Sequence, residues 1–135
     1  MKYLKYILIS MPLFAIFDFV WLGFVMSGFY KTQLGSLARR SGDALAPNIP
    51  PAILVYVLMA LGVAFFVLPY CAGKSLGMTF AVGALFGLVL YGVYDLTNYS
   101  ILVGWTIPLT IADMVWGMVI CGSVSALTSL ITSKI

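Results

Sequence analysis

Apolar residues along this chain come in long runs, without the alternation of a surface strand or the three-to-four spacing of a surface helix. Four runs reach the roughly 20 residues that a helix needs to cross the hydrocarbon of a bilayer. They extend from Tyr6 to Met26, from Pro51 to Tyr70, from Leu76 to Thr97 and from Ile107 to Ile131. A membrane barrel would need shorter, alternating segments, and roughly eight or more of them. The pattern therefore predicts an all-α membrane protein, a four-transmembrane-helix bundle, with residues 1–135 forming a single domain. Prolines mark two of the starts. Pro50 and Pro51 open the second run and Pro108 the fourth, where first-turn amides have no helical partner to lose.

The connections differ in kind. Residues 71–75, C-A-G-K-S, form a tight turn; the G-K-S run lacks the leading glycine of a phosphate loop, because that position is Leu68. Residues 98–106 form a short uncharged loop, and residues 27–49 are the only long connection. Within it Phe29, Tyr30, Leu34 and Leu37 have rough helical spacing, with Lys31, Arg39 and Arg40 beside them. This predicts a short interfacial helix between helices one and two, its basic residues placed to hold an anion or a lipid headgroup. Tyr30, Tyr99 and Trp105 read as aromatic anchors at the interface. Lys2 and Lys5 precede the first run as in a signal peptide. That run is too long, Asp18 interrupts it and no small-residue cleavage site follows, so it reads as a retained helix.

Composition agrees with a lipid solvent. Hydrophobic residues make up 63% of the chain and charged residues 8%, against about 25% charged in a soluble domain. The net charge of +3 would suit nucleic acid, but the basic residues are scattered at the flanks of apolar runs and form no stripe. Membrane lipid is the expected partner, and nucleic acid is not. Lys2, Lys5, Lys74 and Lys134 fall on one face, and Lys31, Arg39 and Arg40 on the other. The four-to-three bias favours both termini in the cytoplasm. The chain has no histidine and no glutamate, which removes imidazole catalysis, histidine metal sites and axial histidine haem ligation. Cys71 sits at the end of one run and Cys121 in the middle of another, and both read as packing residues, so no metal and no cofactor is expected.

Three of the four acids, Asp18, Asp95 and Asp113, fall inside the apolar runs. An ionisable group there costs roughly 2.5–3.5 kcal/mol on insertion scales and avoids lipid. Because helices alternate in direction, all three belong to the same half of the bilayer. Asp95 stands two residues before the end of the third run, Asp113 six into the fourth and Asp18 eight before the end of the first, so they descend toward the midplane. The expectation is one acidic cavity with the basic loop as its lip. Tyr91, Asp95 and Asn98 share a helix face, which Gly83 and Gly87 continue inward. Asp113 heads a row of small residues, Gly117, Cys121, Ser125 and Ser129, spaced for close helix approach. Trp21 and Trp116 each follow an aspartate by three residues. The segments P-L-F-A-I-F-D-F-V-W (Pro12–Trp21) and P-L-T-I-A-D-M-V-W (Pro108–Trp116) align with one gap on antiparallel helices, as in an inverted repeat.

The elements Y-G-V-Y-D-L-T-N-Y-S (Tyr91–Ser100), D-M-V-W-G (Asp113–Gly117) and D-F-V-W-L-G (Asp18–Gly23) resemble the bacterial membrane-protein family known as domain of unknown function 2177. The resemblance covers nearly the whole chain. It implies a compact four-helix membrane protein and assigns no reaction or substrate; the expected location is the bacterial cytoplasmic (inner) membrane, crossed more than once. It marks Asp18, Trp21, Tyr94, Asp95, Thr97, Asn98, Asp113 and Trp116. With Tyr91 these are the candidate cavity residues.

Three functions fit this reading. Carboxylates that cannot all ionise together would suit a proton-coupled transporter or permease of a small polar or cationic solute, which at this size is expected to be a homo-oligomer. An acid pair would suit a membrane-embedded protein that binds or modifies lipid. The small-residue faces would suit a membrane scaffold or interaction protein. Without histidine, glutamate or a cysteine pair the catalytic options are narrow, and the reading leans away from an enzyme.

Overall fold

The computed structural model describes residues 1–135. Four helices are long and apolar enough to cross a membrane: α1 (Lys2–Val25), α3 (Ile49–Tyr70), α4 (Leu76–Ile101) and α5 (Ile107–Lys134). Between the first two lies the short helix α2 (Ser27–Leu34), followed by a 3₁₀ turn over Gly35–Leu37. The chain is an all-α membrane bundle, and the short helix lies where the loop spacing predicts one. A two-residue hairpin, β1 (Arg40–Ser41) with β2 (Ala44–Leu45), was not legible in the pattern. Gly42, at φ +62°, makes its turn.

The helix starts follow local chemistry. The Ser75 hydroxyl accepts from the Met78 amide at the start of α4, and the Thr106 hydroxyl from the Leu109 amide at the start of α5. Each satisfies a first-turn donor that has no helical partner. Helix α4 runs one turn past Thr97, so Asn98 and Ser100 are helical and not part of a loop. Ser100 donates back to the Thr97 carbonyl at 2.8 Å, which keeps its hydroxyl satisfied within the helix. Both α1 and α3 contain a π-helical turn, at Trp21–Val25 and Val63–Val67. The second precedes Pro69, which lacks an amide and whose ring crowds the carbonyl four residues back; a widened turn relieves both.

Helices α4 and α5 make the most extensive contact. Small residues bring them together. A Cβ on Gly83 would lie 2.6 Å from Ser125 Oγ and 2.7 Å from the Cys121 carbonyl. One on Gly87 would run into the Gly117 carbonyl, and one on Gly117 into the Tyr91 ring. Without a hydrophobic force between helices in lipid, such close packing supplies the attraction. Helix α1 packs on α5 and α3. Phe14, Val63, Ala64, Ile120, Cys121 and Val124 are completely buried and fill the middle of the bundle.

This arrangement defines two faces. One holds both termini and the 71–75 turn. The other, the loop face, holds α2, the hairpin and the 102–106 connection.

Candidate functional site

The three intramembrane aspartates stand at nearly one level. Asp95 lies six residues before the end of α4, Asp113 six after the start of α5 and Asp18 seven before the end of α1. At about 1.5 Å per residue each is roughly 9–11 Å below the loop face. The sequence reading placed Asp95 nearest the surface. The extra turn of α4 lowers it to the level of Asp113, and its side chain is fully buried.

Two tryptophans organise the acids. Trp116 Nε1 donates to Asp18 Oδ1 at 2.8 Å. Trp21 Nε1 donates to the Tyr30 hydroxyl at 3.1 Å, and that hydroxyl donates to Asp113 Oδ1 at 2.8 Å. The two indoles stack, with centroids 4.3 Å apart and planes 2° from parallel. The tryptophan of each D-x-x-W motif thus serves the aspartate of the other, once directly and once through Tyr30. Each carboxylate has a donor that a desolvated acid requires.

Tyr30 comes from α2, so this helix does more than float in the interface. It closes the bundle over the acids, and Tyr30 is 5% exposed instead of being an interface anchor. Gln33 of the same helix meets the Thr106 hydroxyl at the start of α5 at 2.5 Å. Burial and the facing Asp113 carboxylate hold the Tyr30 phenol far above its ordinary pKa, so it remains a neutral donor. Its position in a polar, basic connection gave no sign of this role.

Asp95 differs from the other two. Its carboxyl lies within hydrogen-bonding reach of Asp113, and neither of its oxygens meets a donor of the chain. A hydrogen bond between two carboxyl groups needs one proton shared between them, or a cation in its place.

A cleft of about 460 Å³ opens beside the cluster. Asp18 and Asp113 lie in its wall with Trp116 and Tyr91, and the rest of the lining is almost wholly apolar. Val55 and Leu58 of α3 and Leu90 and Tyr94 of α4 form its rims. All four are about 37–67% exposed on the outside of the bundle. The cleft is therefore open sideways, toward lipid, between α3 and α4. Tyr56 adds a hydroxyl beside Asp18, and Met59 Sδ receives the Tyr91 hydroxyl at 4.0 Å; neither residue stood out in the sequence.

A family model described as "Predicted membrane protein (DUF2177)" matches residues 3–130. The chain belongs to this family. No curated protein and no solved structure matches it.

In this DUF2177 chain the motif residues separate by position. Asp18, Tyr91, Tyr94, Asp113 and Trp116 line the cleft. Trp21 stacks behind it, and Asp95 lies against Asp113, buried outside the lining. Thr97 is exposed on the outer surface and meets none of them. Asn98 is half-buried and lies beside the Tyr94 hydroxyl. Lys31, Arg39 and Arg40 all lie on the loop face, but none lines the cleft. Arg40 Nη2 donates to the carbonyls of Lys31 at 2.6 Å and Gly35 at 3.2 Å. Its guanidinium therefore caps the end of α2, a structural duty that leaves less of it for an anion.

Proposed function

We propose that the cleft binds an amphipathic molecule that enters sideways from the bilayer, with an apolar chain and a head that donates hydrogen bonds. An alcohol or a protonated amine fits that description. The observation that carries this reading is the path of the lining. Exposed apolar rims on α3 and α4 lead inward to Asp18 and Asp113. No lysine or arginine lines the cleft, so a phosphate or carboxylate head would face Asp18 and Asp113 with no cation to offset them, which is costly in a low dielectric. This makes the chain a lipid-binding membrane protein in function.

Tryptophan fluorescence tests it. In a Trp105→Phe background only Trp21 and Trp116 remain, and Trp116 lines the cleft. Brominated alkyl amines or alcohols added to the protein in nanodiscs should quench them. Half-quenching should need about a tenfold lower concentration than for an alkyl carboxylate of equal length, a difference of about 1.4 kcal/mol. Filling the rims with Val55→Phe and Leu90→Phe should abolish the difference. Equal quenching by the carboxylate, or quenching that survives the filled rims, would overturn the proposal.

A second reading, proton-coupled transport, is favoured by the contact between Asp95 and Asp113. It ranks lower because Phe14, Ile120 and Val124 fill the bundle between the cleft and the terminal face. Transport would require that core to rearrange. Proteoliposomes holding a pH-sensitive dye would reveal it, through proton movement that depends on the added amine and disappears with Asp95→Asn.

A further inference from the structure

A second cavity, of about 650 Å³, opens at the opposite end of the bundle, on the terminal face. Lys2 and Lys5 of α1 and Lys74 of the 71–75 turn stand around it, with the hydroxyl residues Ser129, Thr132 and Ser133 of α5. The turn fixes one of these charges. Gly73 adopts φ +76°, and the Lys74 amide closes onto the Cys71 carbonyl at 2.9 Å. Lys74 Nζ then lies 3.5 Å from the Tyr70 ring centroid, which the ring face stabilises without cancelling the charge. The Thr132 and Ser133 hydroxyls donate back to carbonyls of their own helix, whereas Ser129 makes no such bond.

No acidic side chain stands at this end. The only acids are Asp18, Asp43, Asp95 and Asp113, and all four belong to the loop-face half. The cavity lies where the chain leaves the apolar runs, at the headgroup level. A concave, hydroxyl-bearing site with three lysines and no acid calls for an anion.

We propose that this cavity binds a phosphate group, with Lys2, Lys5 and Lys74 as its cationic ligands and Ser129 as a hydroxyl donor. The phosphate can belong to an anionic phospholipid headgroup or to a small soluble phosphate ester, and these two sources are separable. The site is independent of the cleft, which shares no residue with it, and it has the opposite charge preference.

The test compares wild type with the combined Lys2→Gln, Lys5→Gln, Lys74→Gln variant. All three lysines are exposed, so the variant keeps the packed core. Native mass spectrometry after extraction from mixed phosphatidylglycerol and phosphatidylcholine should show wild type retaining phosphatidylglycerol at least about tenfold in preference. The glutamine variant should lose that preference, and a Lys→Arg version of the same three positions should keep it. Phosphorus NMR titration with glycerol 3-phosphate identifies the source. Lysine-dependent binding of this soluble ester points to a free phosphate ligand; binding of the lipid alone points to a headgroup. The proposal fails if the glutamine variant retains the preference. It also fails if a Lys31→Gln, Arg39→Gln control on the other face, which leaves the Arg40 cap of α2 in place, loses it to the same extent, since the selectivity would then be a property of net charge.

Discussion

Replacing Gly87 with valine should separate α4 from α5 and destabilise the protein by about 3 kcal/mol, the upper end of ordinary overpacking. The added side chain would run into the Gly117 carbonyl and approach Cys121 Cβ at 2.9 Å. A carbonyl in the middle of a helix cannot turn aside as a flexible side chain can. The only relief is to move one helix away from the other, which loses contact along the largest interface in the bundle. Gly92→Ala is the control. Its Cβ would meet only the flexible end of Met114, at 3.4 Å, and should change stability by less than about 1 kcal/mol. Unfolding by sodium dodecyl sulfate in mixed micelles measures both. An unchanged midpoint for Gly87→Val would mean that the close approach is not what holds these helices together.

The second large effect is expected at Tyr30. Its hydroxyl is the one acceptor that the Trp21 indole meets and the one donor of the chain that reaches Asp113. Tyr30→Phe keeps the ring and removes the oxygen, leaving an indole donor and a desolvated carboxylate without that bond. The loss should be about 1–3 kcal/mol. The stacked indoles should also lose their fixed relation, seen as a weaker near-ultraviolet circular dichroism signal from tryptophan. Tyr99→Phe should alter neither, because Tyr99 is 45% exposed at the outer surface. If Tyr30→Phe behaved like Tyr99→Phe, α2 would be a loosely attached interfacial helix, as its amphipathic spacing suggests.

Much of the architecture was legible in the sequence because bilayer thickness imposes a length on each helix. The four runs correspond to α1, α3, α4 and α5. Their ends were less legible. Asn98 and Ser100 look like loop residues, yet near a membrane surface a helix can continue through polar residues that bond their own turn. That one turn changed the depth of Asp95, and so its partner. The pairing of the two D-x-x-W motifs was visible as a similarity of segments, but their reciprocal exchange of tryptophans depends on how α1 packs against α5. The cleft left no periodic signal. Lipid-facing and cleft-facing residues are equally apolar, so Val55, Leu58 and Leu90 read like any others in their runs. Tyr30 was misread for a related reason: an aromatic residue beside lysine and arginine has the composition of an interface anchor, and only the fold brings it over Asp113.

The central claim, that the cleft between α3 and α4 is a binding site entered from lipid, is tested most directly by an experimental structure of the protein in lipid nanodiscs, at a resolution that shows acyl chains. The predicted result is an elongated density running inward past Val55, Leu58 and Leu90 and ending within hydrogen-bonding distance of Asp18 or Asp113. The contradicting result is a bundle in which α3 and α4 close on each other, with the space beside Trp116 filled by the protein's own side chains.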